Sequence, residues 1–228
     1  VIHLAAQSHV DVSFKNPVQT TVSNVVGIHS LLAACVKRGV KKIIIMSTDE
    51  VYGSTEQIVD VNLLNPANPY SASKAAADMI VTAYKTMHPE ITITTLRSNN
   101  IAGPGQFINN IIPRFSVLGL LKKKFTLHGD GSAMRRYLWV KDAAEAIWLL
   151  AENATQSRIY HIGHEDKFSN LEIAEKIGNY LGLEDYISFE DDRLINDTIY
   201  PADSLDMWRD FKWQPTRNLD DFLPETIE

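Results

Sequence analysis

The chain has 228 residues with a net charge of −6 at neutral pH, and 45% of its residues are hydrophobic. This composition is typical of a globular protein with a sizeable core, and its acidic balance argues against a general nucleic-acid binder. No apolar run approaches the roughly 18 residues of a membrane-spanning helix, so we expect no membrane partner. The single cysteine, Cys35, allows no disulfide within the chain, which favours a reducing compartment and a cytoplasmic location.

Strand-like and helix-like segments alternate through the first hundred residues. Short apolar runs predict strands at 1–6, 41–47 and 91–97. Apolar residues at helical spacing, and an alanine-rich stretch bounded by prolines, predict helices at 17–38 and 70–88. The β-α-β-α-β order predicts a parallel sheet with helices on both faces.

The pattern changes after residue 100. The segments there are a Pro/Gly-rich loop at 103–107, a helix near 109–123, a tight turn at 128–132, a strand over RRYLWV, a helix at 141–153, a strand over RIYHIG and a capped helix at 169–182. We expect these elements to form a smaller lobe that closes over the edge of the sheet.

Three polar segments follow predicted strands. They are AAQSHVD (5–11), STDEVYG (47–53) and the residues after Arg97. Ligands of parallel sheets bind at the carboxyl ends of the strands, so these segments predict a site. Asp49 and Glu50 are adjacent there, although neighbouring carboxylates repel and their burial is costly. Either they lie on a solvated surface turn, or a catalytic site needs them.

Tyr70 and Lys74 lie four residues apart on a predicted helix and so share one face. An ammonium beside a phenol favours the phenolate, so we expect a lowered pKa for Tyr70. Such a tyrosine can take the proton of a secondary alcohol while a hydride leaves the carbon. The alternative interpretation is a helix start with a surface tyrosine and lysine.

Together these motifs resemble the extended short-chain dehydrogenase/reductases, and within them the dTDP-glucose and UDP-glucose 4,6-dehydratases. The segments that carry the resemblance run through nearly the whole chain: AAQSHVD, STDEVYG, NPYSASKAAAD (68–78), RSNN (97–100), HGDGSAMR (128–135) and DDRLINDTIY (191–200). The resemblance implies an α/β, Rossmann-like doubly wound parallel sheet with a smaller C-terminal substrate-binding lobe. It divides the chain into an NAD-binding part at 1–105, to which some later segments return, and a mainly nucleotide-sugar lobe at 106–228.

The resemblance also implies a reaction. Tyr70 acts as base while NAD oxidises the sugar at C4, Glu50 removes the C5 proton, Asp49 protonates the leaving C6 hydroxyl, and hydride returns to C6. Thr48 hydrogen-bonds the C4 oxygen, which makes Thr48, Asp49, Glu50, Tyr70 and Lys74 the catalytic set. The product is a 4-keto-6-deoxy sugar nucleotide. One carboxyl must be neutral while the other is ionised, and adjacent carboxyls divide their titrations in this way.

Further site residues follow from the same resemblance. The cofactor-binding set is Ala5, Ala6, Gln7, Ser8, Ser23, Tyr70 and Lys74. The substrate-binding set is Ser8, Thr48, Asn100, Arg135, Asn170, Asp192, Arg193 and Asn196, with Arg135 pairing with the diphosphate. We interpret Asn99 as a residue that stabilises a turn and takes no part in the site. The histidines show no metal-ligand spacing, so we expect no metal site.

The glycine-rich G-x-x-G-x-x-G turn that binds the NAD pyrophosphate in this family is not in the sequence. We therefore expect the chain to be truncated at its N-terminus and, taken alone, to bind NAD poorly and be inactive. The family also implies a homodimer through helices 17–38 and 70–88. Two alternatives stay open: a non-catalytic relative that binds a partner, and a nucleotide-sugar epimerase or decarboxylase. The choice between thymine and uracil is also open.

Overall fold

The computed structural model describes residues 1–58, 60–192, 197–201 and 203–228. Its strands are β1 (Ile2–His3), β2 (Lys42–Met46), β3 (Thr92–Ser98), β4 (Asn100–Ala102), β5 (Phe125–His128), β6 (Met134–Trp139), β7 (Ile159–Ile162), β8 (Lys167–Ser169) and β9 (Ile187–Glu190). Its α-helices are α1 (Val10–Lys15), α2 (Pro17–Thr21), α3 (Gly27–Lys37), α4 (Pro69–Met87), α5 (Ile111–Leu120), α6 (Val140–Asn153), α7 (Asn170–Tyr180), α8 (Leu205–Phe211) and α9 (Leu219–Ile227).

A parallel sheet in the order β1-β2-β3-β7 is the framework of the molecule. Strand β2 is apolar along its length because both of its faces are covered. Ile43 and Ile45 pack in one cluster with apolar residues of α3 and α4, whereas Ile44 packs in another with residues of α6 and α8. Helices therefore cover both faces, and the doubly wound Rossmann-like fold is confirmed.

A second core lies beside this sheet. Strands β4, β6 and β8 form one small sheet, and β5 pairs with β9 in another. Apolar residues of α5, α7 and α9 pack against them, with Phe125 and Phe222 fully buried at the centre. Strand β7 lies in the larger sheet although it follows β6 in the chain, so the two cores are interleaved in sequence. The domain boundary at residue 105 stays a proposal.

The structure differs from the sequence-based expectations at several boundaries. The first strand covers Ile2–His3 instead of 1–6, because only Ile2 and His3 have partners in β2, and residues 4–6 are exposed. The predicted helix at 17–38 is formed by α2 and α3 joined through a π-helical segment, Val22–Val26. A π-turn adds a residue to the helical ring and often lies at a functional site.

Helices α1, α8 and α9 and strands β4, β5, β8 and β9 were not predicted individually, because they are short or irregular in pattern. Within the described parts of the chain, no helix is both long and apolar enough to cross a membrane.

Candidate active site

The segment after β2 turns into a short 3-10 helix, Asp49–Tyr52, at the carboxyl edge of the sheet. Thr48 precedes it in extended conformation and its hydroxyl accepts a hydrogen bond from the backbone N–H of Glu50 at 3.3 Å. Gly53 ends the helix at a φ of 70°, and a Cβ there would lie 2.2 Å from the carbonyl oxygen of Asn65. The turn thus needs glycine at its end, and it fixes both acidic residues on the framework.

Asp49 is almost completely buried, with 5% of its surface exposed. Its Oδ2 accepts a 2.6 Å hydrogen bond from Nδ2 of Asn99, and its Oδ1 accepts one from the Thr48 hydroxyl at 3.1 Å. Burial and the neighbouring charge of Glu50 raise the pKa of Asp49 from 3.8 to about 7, against the opposing effect of the two hydrogen bonds and Arg135. This carboxyl is therefore partly protonated near neutral pH.

Glu50 has a different set of neighbours. Its Oε2 lies 3.4 Å from the donor Nδ2 of Asn68 and 3.3 Å from the hydroxyl of Tyr200. Burial raises its pKa, while Arg135, Asn68 and Tyr200 favour its charged form and Asp197 opposes it. Burial therefore raises the pKa of both carboxyls against partners that favour their charged forms, and the charge of Glu50 raises the pKa of Asp49 further.

Tyr70 lies in the first turn of α4, where the helix start is strongly specified. Asn68 is the N-cap, its side chain accepts from the N–H of Ser71 at 2.9 Å, and Pro69 occupies the first helical position. The backbone N–H of Tyr70 donates to the hydroxyl of Ser13 in α1 at 3.1 Å. These contacts bury Tyr70, and the Thr48 hydroxyl favours the ionised form of its phenol.

The expected lowering of the Tyr70 pKa is wrong for this structure. Burial and the charges of Glu50 and Asp49 raise the pKa of the phenol, and Lys74 is not among its influences. The Lys74 ammonium instead donates to the carbonyl oxygen of Met46 at 2.6 Å, and burial lowers its own pKa. Spacing alone placed both residues on one face of α4, but the direction of the lysine side chain is set by the free carbonyl at the end of β2.

The turn after β1 is connected to α4 by one buried amide. Asn24, within the π-helical segment, donates to the carbonyl oxygen of Gln7 at 2.8 Å and to the Ser73 hydroxyl at 2.9 Å, and accepts from the N–H of Gln7 at 2.8 Å. Ser23, predicted as a cofactor contact, is exposed and lies 3.4 Å from Nε2 of Gln19. The buried member of this pair is therefore Asn24, which the sequence only placed beside the site.

The residues at this edge fit a nicotinamide cofactor. Ala5, Ala6 and Ser8 expose backbone and small side chains, which leave room for a planar ring and a ribose. The buried Oε1 of Gln7 has no hydrogen-bond partner among the described residues. Such orphaned polar atoms at a sheet edge are expected where a ligand binds. Asn24 connects the Gln7 turn to Ser73 of α4, the helix that also carries Tyr70 and Lys74, whereas Ser23 is exposed.

A cleft of about 190 Å³ opens in front of Glu50, between the sheet edge and the second core. Four predicted substrate residues line it: Ser8, Asn100, Arg135 and Asn170. Arg135 extends over the ring of Tyr200 at 4.9 Å and donates to the carbonyl oxygen of Asp197 at 2.9 Å. The polar lining of this cleft suits an anionic, hydroxylated ligand.

The remaining predicted substrate residues are less informative. Asp192 is exposed and its carboxyl lies beside Gly129. Arg193 and Asn196 lie outside the described residues. Asn170 begins α7, but the N-cap that binds Glu172 is Ser169, so Asn170 is available to the cleft.

Sequence reasoning missed several residues of the site. Asn99, interpreted as turn chemistry, is buried and bound to Asp49. Asp197 and Tyr200 lie in the sequence between β9 and α8, and the Tyr200 hydroxyl lies 2.8 Å from Oδ2 of Asp197. Both occur in the motif DDRLINDTIY, which was the available signal. Among the described residues, no group of His, Cys, Asp and Glu is arranged to hold a metal ion.

Comparison with known proteins gives one family and consistent relatives. A family model described as "NAD dependent epimerase/dehydratase family" matches residues 1–163. Over 236 residues the chain is 38% identical to the trifunctional UDP-glucose 4,6-dehydratase/UDP-4-keto-6-deoxy-D-glucose 3,5-epimerase/UDP-4-keto-L-rhamnose-reductase RHM2 of Arabidopsis thaliana, covering 100% of this chain and 35% of the relative. It is 42% identical over 193 residues to dTDP-D-glucose 4,6-dehydratase of Dictyostelium discoideum, covering 78% of this chain and 44% of the relative. The chain thus spans less than half the length of these two relatives.

A solved structure is also similar. The dTDP-glucose 4,6-dehydratase DesIV of Streptomyces venezuelae, crystallised with NAD bound, superposes with a TM-score of 0.95 at 31% identity. The match covers 99% of this chain and 71% of that one.

Proposed function

Because this chain belongs to the NAD dependent epimerase/dehydratase family, we propose that it carries the catalytic residues of a nucleotide-sugar 4,6-dehydratase acting on dTDP-glucose or UDP-glucose. One observation carries the choice of dehydratase. Asp49 and Glu50 are adjacent at the edge of the sheet, and the charge of Glu50 helps to raise the pKa of Asp49 to about 7. Loss of water needs an acid for the departing hydroxyl and a base for the carbon-bound proton at the same time.

The cofactor proposed for this site is NAD, held by Ala5, Ala6, Gln7, Ser8, Tyr70 and Lys74. When bound, it would accept a hydride from sugar C4 and return it to C6. Asn24 holds the Gln7 turn against Ser73 of α4, and so sets the distance between the cofactor edge and Tyr70. Lys74, already directed to the carbonyl oxygen of Met46, keeps its ammonium at the carboxyl end of β2.

The protein residues then divide the proton transfers. Tyr70 takes the proton of the C4 hydroxyl, which requires its raised pKa to fall, and a bound cationic nicotinamide ring would favour the phenolate in this way. The Thr48 hydroxyl, which also favours the ionised phenol, orients the C4 oxygen. Glu50 takes the C5 proton, which the 4-keto group makes acidic, and would return a proton, exchanged with solvent, to C5 when hydride is added at C6. Asp49 gives its proton to the C6 hydroxyl, which leaves as water. Protonated Asp49 also assists Tyr70, because a carboxylate there raises the pKa of the phenol.

The cleft accounts for the nucleotide part of the substrate. We assign the diphosphate to Arg135, because its forked guanidinium suits phosphate oxygens and it lies in the cleft beside Asn100. Ser8 and Asn170 line the same cleft and would bind sugar or phosphate oxygens. Asp192, Arg193 and Asn196 are proposed to contact the nucleotide.

The decisive experiment is turnover with each sugar nucleotide in the presence of NAD. We would use this chain and, where its gene encodes further residues, the complete gene product. A dehydratase gives a product lighter by one water that carries solvent deuterium at C5 when the reaction runs in D2O. Glu50→Gln should abolish both signals.

Two other outcomes would contradict the proposal. A product of unchanged mass would point to a 4-epimerase, and turnover only of the corresponding nucleotide-linked glucuronate, with release of CO2 from its C6 carboxyl, would point to a decarboxylase. Failure of the complete gene product with both sugars would favour a non-catalytic relative. Calorimetric titration of the chain alone with NAD separately tests the expected poor binding, and micromolar affinity would contradict it.

We also propose a homodimer through α2, α3 and α4. Four apolar side chains on this face are exposed, namely Val18 at 76%, Val22 at 45%, Val26 at 53% and Met79 at 62%. The first three are spaced by four residues along one helical face, an arrangement that a second copy of the chain would cover. Sedimentation should give twice the monomer mass, and Val18→Lys should reduce it to the monomer mass.

The buried free Cys35 agrees with the proposed cytoplasmic location, which microscopy of tagged protein can check.

A further inference from the structure

Asn99 directly follows β3 and is nearly inaccessible, with 4% of its surface exposed. Its amide nitrogen donates to Oδ2 of Asp49 at 2.6 Å and to the carbonyl oxygen of Pro201 at 2.9 Å. Its backbone N–H donates to the carbonyl oxygen of Ile162 at 3.1 Å. Both amide hydrogens are therefore used, and the residue is anchored to the sheet by its backbone.

The orientation of this amide is determined by its surroundings. Oδ1 of Asn99 has no hydrogen-bond partner in the described part of the chain. It lies against Gly163, where a Cβ would be only 1.9 Å away. A flipped amide would place an acceptor oxygen against the two acceptors Asp49 Oδ2 and Pro201 O, so only the observed orientation satisfies the group.

An amide nitrogen can donate but cannot accept, and this restricts the neutral form of Asp49. When the carboxyl is protonated, Oδ2 has to remain the unprotonated carbonyl oxygen, and the proton resides on Oδ1. That atom lies 3.1 Å from the Thr48 hydroxyl. The acidic proton is thereby placed on the side of Thr48, whose hydroxyl also acts on the pKa of the Tyr70 phenol.

We propose that Asn99 is a positioning residue that fixes the proton of Asp49 on Oδ1, the oxygen from which it is delivered to the leaving hydroxyl. The inference rests on the proposed dehydratase function. The hydrogen bonds of the Thr48 hydroxyl then depend on whether Asp49 is protonated. Beside ionised Asp49 it donates to Oδ1, and beside neutral Asp49 it accepts from Oδ1 and can donate to the Tyr70 oxygen. Loss of the Asp49 proton and ionisation of Tyr70 are coupled through this hydroxyl.

The other groups that act on Asp49 are Glu50 on the same turn and Arg135 on β6, and Asp49 in turn acts on Tyr70 of α4. Burial and Glu50 raise the pKa of Asp49, whereas the Asn99 donor lowers it. Removing the donor should therefore raise the pKa further, and the acid should stay protonated to higher pH. At the same time its proton is no longer confined to Oδ1.

The test compares Asn99→Leu, which keeps the approximate shape but has no donor, with Ser204→Ala. The Ser204 hydroxyl accepts from the Gly163 N–H at 3.1 Å and donates to the Gly163 carbonyl oxygen at 3.0 Å. Because Gly163 packs against Oδ1 of Asn99, this control loosens the surroundings of Asn99 without touching Asp49. In Asn99→Leu we expect kcat to fall about tenfold or more, an unchanged KM, and a basic limb of the pH–rate profile displaced to higher pH. Ser204→Ala should leave that limb in place.

A second measurement does not depend on turnover. The Asp49 carboxyl is titrated by NMR in protein labelled with 13C at aspartate Cγ, with Asp49→Asn to assign the signal. Asn99→Ala, which is smaller and also has no side-chain donor, serves if the leucine variant does not fold. An Asp49 titration unchanged by loss of the Asn99 donor overturns the inference. An inactive wild type with a displaced titration would overturn the proposed function instead, while retaining the contact.

Discussion

The guanidinium of Arg97 lies 3.0 Å from the carboxylate of Asp78, and the two side chains are 2% and 4% exposed. The same carboxylate oxygen accepts a 2.9 Å hydrogen bond from the hydroxyl of Ser47, which directly follows β2. Arg97 also donates to the hydroxyl of Tyr52, at the end of the 3-10 helix that carries Asp49 and Glu50, and to the carbonyl oxygen of Val61. This buried ion pair therefore supports both ends of the proposed catalytic turn.

Breaking that ion pair should strongly destabilise the protein. Arg97→Leu or Asp78→Asn leaves one buried charge without its partner, which typically costs about 3–5 kcal/mol. The free energy of unfolding from urea titration is the measurement. Lys124→Ala is the matched control, because the Lys124–Asp185 pair is exposed at 55% and 89% and such pairs contribute about 1 kcal/mol or less. Equal losses in the core and control variants would contradict the account.

Asp49→Asn should make the protein more stable at alkaline pH. The folded pKa of about 7 exceeds the ordinary value of 3.8, so between these values the folded state binds more protons than the unfolded state. The free energy of unfolding of the wild type therefore falls as pH rises through this window, by up to about 4 kcal/mol at about 1.4 kcal/mol per pKa unit. The uncharged asparagine has no such loss.

Unfolding curves at pH 4 and pH 8 test this, because the advantage of Asp49→Asn should appear only at the higher pH. Asp130→Asn provides a control of opposite sign. Hydrogen bonding to Ser132 lowers the pKa of Asp130, so its contribution is present at neutral pH and is lost on acidification. Asp130→Asn should therefore be less stable than the wild type at pH 8. An equal effect of pH on both variants would refute the burial of a raised-pKa acid at Asp49.

The elements that the sequence predicted well are those whose pattern is local. The KIIIM run defines β2, and the N-cap and proline before Tyr70 define the start of α4, because capping and periodicity depend on residues a few positions apart. The edge-of-sheet site followed from the strand order. By contrast, Tyr200 reaches Glu50 from 150 residues away, and nothing local to either residue predicts that contact.

The electrostatic expectations failed for a related reason. Whether Lys74 lowers the Tyr70 pKa depends on where the flexible lysine side chain points. It points to the carbonyl oxygen of Met46, and the spacing of Tyr70 and Lys74 in the sequence does not predict that contact. Asn99 looked like turn chemistry because its sequence neighbours are polar. Its burial arises from Pro201 and Gly163, which come from distant segments.

Arg135→Gln should displace the whole pH–rate profile to higher pH. Arg135 lowers the pKa of both Asp49 and Glu50, so its loss raises both. The acidic limb, which reports ionisation of the Glu50 base, and the basic limb, which reports loss of the Asp49 proton, should move together as properties of the coupled pair. KM should also rise, because the diphosphate loses its guanidinium.

Arg114→Gln is the control: Arg114 lines the same cleft but does not act on either carboxyl, so only KM should respond. Unmoved limbs in Arg135→Gln would show that the guanidinium does not set the state of the acidic pair.

Asn68 has two functions that substitutions can separate. Its Oδ1 caps α4, and its Nδ2 lies 3.4 Å from Oε2 of Glu50. Asn68→Asp keeps the cap but faces Glu50 with a second acid, so we expect the Glu50 pKa to rise and the acidic limb of the pH–rate profile to move to higher pH.

Asn68→Ala should lose the cap as well, at about 1 kcal/mol in the free energy of unfolding. Asn218→Ala is the matched control, because Asn218 caps α9 with the same capping box, its Oδ1 accepting from Asp221 at 3.0 Å. It should lose similar stability with no change in the pH–rate profile. If Asn218→Ala displaced the acidic limb as far as Asn68→Asp does, the limb would be reporting general loosening of the fold rather than the charge state of Glu50.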